Sequence, residues 1–276
     1  MAAVRMADSV DLERARGTLR LRVSQAEGAN RVAELGQSGC ARLLFPAIAK
    51  GATLEAVIVN TAGGLTGGDR FASHVTVDAG SRAVVTTQAC ERLYRAVDGA
   101  AQVDTRLDIG AGADLAWLPQ ETILFNRSAL TRSLRVEMAG DARFLALEAV
   151  LLGRRASGEV MTEMTFRDSW RIIRDGRLVF AEETALGPDP ADALAARATL
   201  NGASAFATIL FAAPDAEARV EALRGLPTIE ACETGISGFD GLCVARLIAQ
   251  DGAALRSRLL PMLTVLGCDP PQVWML

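Results

Sequence analysis

The chain has 276 residues, of which half are apolar, and a formal net charge of −4. The apolar fraction excludes a disordered chain, and the negative charge disfavours nucleic acid as the main partner. It offers no apolar run long enough for a signal peptide or a membrane span, and its five cysteines are scattered without a CxxC pair. We therefore expect a cytoplasmic protein without a disulfide framework or a structural zinc site.

Apolar and polar residues alternate through much of the first two thirds of the chain. The clearest apolar positions are Leu19, Leu21, Val23, Leu130, Leu134, Val136 and Met138. Such alternation predicts strands with one buried face. Turn signals at 79–80, 110–112, 140–141 and 175–176 separate the runs, and Asp175-Gly176 predicts a tight hairpin because both residues tolerate positive φ angles.

Two further segments, 83–87 and 144–152, are apolar on both faces, as in strands that are covered on both sides. Strands follow one another at short spacing without intervening helices. The pattern predicts a mostly β fold of stacked, β-helix-like sheets, with a β core at about 18–185 and a few helices in the C-terminal third.

The character of the sequence changes after Pro190. The Ala- and Leu-rich segment 191–211 predicts a helix, and a shorter helix is expected from Pro214 to about Arg224. A strand is expected at 242–248, followed by a last helix that Asp251 caps, that Pro261 perturbs and that ends near Leu266. We expect the part at 190–276 to pack on the β core, so that residues 1–276 form a single domain.

The most unusual segment, at 60–71, carries Gly63, Gly64, Gly67 and Gly68 between two predicted strands. It does not fit a phosphate loop, because no Lys-Ser/Thr follows the glycines and a strand comes next. It does not fit a calcium-binding repeat, because it occurs once. A tight crossover remains, in which Asp69 and Arg70 bond backbone groups.

The only histidine, His74, lies on the polar face of a predicted strand, and no GxSxG motif is present. A surface or groove position is therefore expected for His74, and a small hydrolase that uses it is a remaining alternative. Histidines and cysteines do not cluster as a stable transition-metal site would require.

Several acidic residues lie in or beside the predicted strands: Asp69, Glu91, Glu121, Glu148, Glu159 and Glu182. Glu148 interrupts the apolar run 144–152, so its carboxylate must be paired, hydrated or neutralised. One interpretation is a buried partner for Arg154 or Arg155. The other is a hydrated cavity whose oxygen ligands hold an ion such as nickel weakly.

Five segments in order resemble the urease accessory protein family UreD. GGLTGGDR at 63–70 resembles its GGxxGGD loop, and TTQACERLYR at 86–95 resembles the strand that follows. LAWLPQE at 115–121 resembles its LxWLPQ segment, and residues 148–159 resemble its acid-xxx-LGR-xxx-GE stretch. PQVW at 271–274 is similar to its Pro-Arg-hydrophobic-Trp ending. The chain departs from the family at Thr61-Ala62, where a proline pair is usual, and at Gln272, where Arg is usual.

The resemblance implies a non-enzymatic protein that bridges apo-urease to the accessory proteins UreF and UreG and passes nickel transiently through a hydrated interior, without a tightly bound cofactor. It points first to Asp69 and Glu148, then to Glu91 and Glu182, as residues of the nickel passage. Gly63, Gly64, Gly67, Gly68 and Arg70 form the motif loop, and Glu121, Arg154 and Glu159 are secondary candidates. A pure scaffold without a metal conduit is the alternative.

Overall fold

The computed structural model describes residues 13–46, 53–154 and 157–275. Most of them lie in strands. The strands are β1 (Arg16–Ala26), β2 (Ala29–Gly39), β3 (Ala41–Leu44), β4 (Leu54–Asn60), β5 (Arg70–Val77), β6 (Arg82–Thr87), β7 (Glu91–Leu93), β8 (Ala101–Ile109), β9 (Asp114–Leu118), β10 (Thr122–Leu124), β11 (Ala129–Met138), β12 (Arg143–Leu152), β13 (Thr165–Arg174), β14 (Arg177–Leu186), β15 (Ala205–Ala212), β16 (Cys232–Phe239) and β17 (Leu242–Ala249). The helices are α1 (Ala191–Ala195), α2 (Val220–Arg224) and α3 (Gly252–Val265), with 3₁₀ turns at Ala216–Arg219 and Gln272–Met275.

The strands form two large sheets. Sheet A has the order β14-β13-β11-β8-β5-β1-β2, and sheet B has the order β16-β17-β15-β12-β9-β6-β4-β3, with β7 and β10 beside β12. The middle of each sheet is parallel, whereas the outer strands pair antiparallel.

The chain winds between the sheets as a β-helix does. Three successive turns carry it from sheet A to sheet B, from β5 to β6, from β8 to β9 and from β11 to β12, and β7 and β10 form a short third side. On that side Leu65, Leu93, Leu124 and Leu152 lie in register, one per coil. All four are buried. The prediction of a mostly β, stacked and β-helix-like fold is confirmed.

Burial follows the alternation in the sequence. Side chains between the sheets form one apolar core, and the outer face of sheet B forms a second core with α3 and the C-terminal residues. Strand β12 is buried on both faces, as its continuous apolar run predicts. The hairpin at Asp175-Gly176 is confirmed, with φ values of 48° and 75°.

The predicted helix at 191–211 is wrong. Only Ala191–Ala195 is helical, and β15 (Ala205–Ala212) lies between β12 and β17 in sheet B. Both faces of β15 are covered, so a strand there is as apolar as a buried helix. The region after Pro190 therefore contributes β15, β16 and β17 directly to sheet B.

The three other elements predicted in the C-terminal region, two helices and a strand, are present, although Pro261 does not interrupt the last helix. Helix α2 follows a 3₁₀ turn and buries Val220 and Leu223, and β17 lies where a strand is expected. Asp251 caps α3 by accepting a hydrogen bond from the Ala254 amide at 2.8 Å, and the helix continues past Pro261. No helix in the described part of the chain is both long and apolar enough to cross a membrane.

Candidate functional site

A cavity of about 250 Å³ lies between the two sheets, beside the glycine-rich loop. Strands β4 to β12 contribute its walls. Its polar lining residues are Asn60, Ser73, Thr87, Gln88, Cys90, Glu91, Arg92, Thr105, Gln120, Thr122, Arg132 and Glu148. Apolar side chains such as Leu65 and Phe71 complete the wall. Two of the predicted acidic residues, Glu91 and Glu148, therefore face one interior space.

The glycine loop packs closely on the next coil, which explains its composition. A Cβ atom on Gly64, where φ is 146°, would lie 2.3 Å from Cε2 of Tyr94 and 2.7 Å from the carbonyl oxygen of Arg92. A Cβ on Gly67 would lie 2.4 Å from the carbonyl oxygen of Asp98. Gly63 and Gly64 line the cavity, so the loop forms part of its wall.

Asp69 holds this loop in place. Its buried carboxylate accepts hydrogen bonds from the backbone amides of Ala15 and Thr66, both at 2.8 Å. Arg70 follows on β5, where its side chain is exposed. The crossover predicted from the sequence is thus present, with Asp69 bonding backbone groups and standing outside the cavity lining.

Glu91 lies in the cavity wall beside Asn60, which also bonds the carbonyl oxygen of Gly64 in the glycine loop. Asn60 donates to both of its carboxylate oxygens at 3.2 Å. Burial raises the pKa of Glu91 to about 7, although the hydrogen bonds from Asn60 and from the backbone of Arg92 act in the opposite direction. Near neutral pH this carboxyl group therefore exchanges its proton readily, and a cation can replace the proton.

The raised pKa of Glu91 predicts a pH-dependent stability. The folded state binds this proton more tightly than the unfolded state, so stability is lost as pH rises from about 4.5 to about 7. Relative to the Glu91→Gln variant, the free energy of unfolding of the unmodified chain should fall by about 2.5 kcal/mol between about pH 5 and pH 8. Denaturant titrations at both pH values measure this, and parallel curves for the two proteins would contradict it.

Arg132 lies between two buried carboxylates. It contacts Glu148 at 2.5 Å and Asp168 at 2.7 and 3.0 Å, and it also donates to Thr122. Trp117 donates to Glu148 at 3.1 Å. The bonding partner expected for Glu148 was Arg154 or Arg155. That expectation is wrong for Arg154, which pairs with Glu159, and Arg155 lies outside the described residues.

The buried cluster of Arg132, Glu148 and Asp168 carries one positive and up to two negative charges. Burial raises the pKa of Glu148, while the Arg132 guanidinium acts against this rise. Burial lowers the pKa of Arg132, but the two carboxylates outweigh that effect and hold it above its ordinary value. Arg132 thus stays charged, and the cluster is acidic overall when both carboxylates are ionised.

A line of polar side chains continues from this cluster across sheet B. Glu148, Thr208 and Arg246 are register neighbours on β12, β15 and β17. Glu182 of β14 closes the line from sheet A, since it accepts a hydrogen bond from Thr208 at 3.0 Å and pairs with Arg246. The Glu182 side chain is 12% exposed and the Arg246 side chain 60%. The line therefore runs from the cavity to the surface.

The secondary candidates lie outside this line. Glu121 is buried, pairs with Arg256 at 3.1 Å and accepts a hydrogen bond from Cys90 at 3.4 Å. Burial raises the pKa of the Cys90 thiol to about 11, so the sulfur in the cavity wall stays protonated. Arg154 and Glu159 pair with each other in the segment after β12.

His74 lies on the outer face of sheet A, as predicted, with its side chain 37% exposed. Its Nε2 atom is 2.5 Å from a carboxylate oxygen of Asp108. Within the described residues, no serine or cysteine is hydrogen-bonded to His74, so the arrangement does not resemble a nucleophile and its base.

No three His, Cys, Asp or Glu side chains in the described ranges lie close enough together to hold a metal ion. A cation in this interior would therefore bind at separate places in turn: at Glu91, at the Arg132 cluster and at Glu182. Sequence reasoning missed Arg132 and Asp168. The sequence pattern indicates that both are buried, because each occupies an inward-facing position of an alternating run.

Comparisons with known proteins agree on one family. The family model described as "UreD urease accessory protein" matches residues 15–274. The chain is 48% identical over 271 residues to the urease accessory protein UreD of Rhizobium leguminosarum bv. viciae, and the alignment covers 98% of each protein. It is 48% identical over 264 residues to that of Rhizobium etli, covering 95% of this chain and 96% of the relative. It is 45% identical to that of Agrobacterium fabrum, covering 95% and 92%.

Proposed function

Because the chain belongs to the UreD family of urease accessory proteins, we propose that it helps to load nickel into apo-urease and conducts the ion through its own interior. In this proposal it bridges apo-urease to UreF and to the GTPase UreG in the cytoplasm, and it catalyses no reaction itself. Nickel is its transient cargo. The observation that carries the proposal is the row of polar side chains from the cavity to Arg246, in which Glu148, Thr208 and Arg246 are register neighbours and Glu182 bonds the last two.

The electrostatics of the interior suit passage more than storage. Glu91 and Glu182 are single carboxylates, and oxygen ligands hold a borderline ion such as nickel weakly. Arg132 keeps a positive charge beside Glu148, which reduces the attraction of that carboxylate for a cation. Each of these carboxylates can therefore bind the ion and release it to the next carboxylate.

Proton exchange allows Glu91, the first carboxylate of the proposed passage, to bind a cation. With a pKa of about 7, Glu91 is partly protonated at neutral pH. A hydrated divalent ion that approaches the carboxylate displaces the proton, and the proton returns when the ion moves on. Asn60 holds the carboxylate in position throughout.

The glycine loop has a structural role in this proposal. Asp69 anchors the loop through two backbone amides and thereby fixes the wall beside Glu91. Gly63, Gly64, Gly67 and Gly68 allow that wall to approach the next coil closely. The residue expected to bind nickel first is therefore Glu91, with Asp69 as a positioning residue.

Two adjacent residues of β14 test the passage against a pure scaffold. Glu182→Gln should lower urease activation several-fold, because it removes an interior charge while an amide can still bond Thr208. Glu183→Gln is the matched control, since Glu183 pairs with Arg171 on the outer face and is exposed. Urease activity is measured after apo-urease is activated with nickel and the full set of accessory proteins.

Co-purification with urease establishes that both variants assemble. Full activation by an assembled Glu182→Gln complex would favour the scaffold and contradict a role for this residue in the passage. Activation that needs His74, tested with His74→Ala, would instead favour the hydrolase alternative.

A further inference from the structure

The outer face of sheet A carries three straight rows of side chains, one residue from each strand. The parallel register of β1, β5, β8, β11 and β13 produces them. The basic row is Arg20, His74, Arg106, Arg135 and Arg171. The floor row is Thr18, Ala72, Asp104, Ser133 and Ser169. The far row is Arg16, Arg70, Gln102, Thr131 and Arg167.

The small side chains of the floor row leave a groove beside the basic row. The groove has a volume of about 710 Å³ and runs across β2, β1, β5, β8 and β11. Arg20, His74, Arg106 and Arg135 line one side of it. The far row flanks the other side by register.

Arginines outnumber carboxylates around the groove although the chain carries a net charge of −4. Arg20, Arg106 and Arg135 line it together with the acidic Glu34 and Asp104, and the far row adds three arginines by register. Arg20 pairs with Glu34 at 3.7 Å and its side chain stays 64% exposed. Arg106 and Arg135 pair with Asp108 and Glu137, which lie two residues further along the same strands, on the side away from the floor row. Both arginine side chains remain about half exposed. A guanidinium group has five N–H donors, so each can bind a second carboxylate in the groove.

The dimensions of the groove match an α-helix. Four residues separate the far row from the basic row, which is about 13 Å along a strand, whereas a helix with its side chains is about 10–12 Å wide. Neighbouring strands are about 4.8 Å apart, close to the spacing of one helical turn, about 5.4 Å. An extended peptide repeats on one face only every ~6.8 Å and fits this ladder less well.

The chemistry of the face argues against a nucleic acid. Asp104 lies in the floor row and would oppose a continuous chain of phosphates, whereas a helix can place a neutral residue there. The exposed aromatic side chains of the described residues, Phe45, Tyr94 and Phe239, lie outside the three rows, so the face has no platform for stacking bases.

We propose that this groove is a docking surface for an exposed α-helix of a partner protein that presents about one acidic residue per turn. Such a helix would cross sheet A along the basic row over about 19 Å, which is about 13 residues. The interaction is electrostatic and distinct from the interior cavity, so it does not depend on the nickel passage.

The test uses the full chain and a stapled, alanine-based helical peptide of about 14 residues with one glutamate per turn on one face. Binding is measured by fluorescence anisotropy at low salt. Combining Arg106→Glu with Arg135→Glu should raise the Kd at least about tenfold. Combining Arg177→Glu with Arg224→Glu changes the net charge equally but away from the groove, and it should change the Kd less than about twofold.

Two further probes define the occupant. A peptide of the same composition with its glutamates spread around the helix should bind more weakly, and so should an oligothymidylate of equal charge. The proposal is overturned if the charge-reversed groove binds the peptide as the unmodified chain does. It is overturned equally if the shuffled peptide or the oligothymidylate binds as tightly as the designed peptide. Circular dichroism confirms that all variants are folded.

Discussion

Replacing Arg132 with Leu is expected to lower the free energy of unfolding by about 3–5 kcal/mol. The substitution leaves two buried carboxylates, Glu148 and Asp168, without the guanidinium that pairs with both. Removing one partner from a buried ion pair costs this much because an uncompensated charge remains in a medium of low polarity. Denaturant unfolding followed by tryptophan fluorescence measures the loss, since Trp117 and Trp170 bond these two carboxylates.

Arg135→Leu is the matched control, three residues along the same strand and therefore on its opposite face. Arg135 pairs with Glu137 on the exposed face, so its replacement should cost less than about 1 kcal/mol. The defect of Arg132→Leu should also shrink as pH falls, because burial raises the pKa of Glu148 and its protonation removes a buried charge. Equal losses for the two variants would show that Arg132 does not compensate buried charge.

Filling the cavity is expected to stop urease activation while the fold persists. Ser73 is buried and lines the cavity, so Ser73→Phe places an aromatic ring in the space beside Glu91 and Glu148 without changing any charge. Overpacking costs about 1–3 kcal/mol, and the existing cavity reduces that cost. We expect urease activity to fall at least about tenfold with the assembled complex.

Thr76→Phe provides the control on the same strand. Thr76 points to the opposite face of sheet A, so the same side chain is added without entering the cavity. This variant should activate urease normally. Loss of activation by both variants, or by neither, would mean that the cavity is not the route.

The β-helix could be predicted because burial in a strand is a local property. Leu19, Leu21 and Val23 alternate with polar residues, and all three are buried between the sheets. The turns at 79–80 and 110–112 are equally local, since Gly80 and Gly112 adopt positive φ angles of 69° and 61° that favour glycine. What strand signals do not contain is which strands are neighbours, because that depends on contacts between distant residues.

For the same reason, the sequence indicated only part of the buried cluster of Arg132, Glu148 and Asp168. Glu148 stood out as a charge within an apolar run. Arg132 lies at a buried position between Leu130 and Leu134, and Asp168 lies likewise between Phe166 and Trp170. Strict use of the alternation would have placed both inside. Their pairing with Glu148 still requires β11, β12 and β13 to be positioned in three dimensions.

The helix predicted at 191–211 was wrong for a different physical reason. Ala and Leu favour a helix locally, but local propensity is weak compared with tertiary packing. In β15 the same residues fill the space between β12 and β17, where both faces are buried. An apolar run covered on both sides carries no period that separates a strand from a helix.

The most direct test of conduction through the interior is the nickel content of urease after activation by the Ser73→Phe complex. Metal analysis of the re-purified urease counts the ions delivered, independently of catalysis. Passage through the cavity predicts far less nickel than with the unmodified chain or Thr76→Phe. Nickel at the level reached with the unmodified chain, delivered by an assembled Ser73→Phe complex, would contradict it.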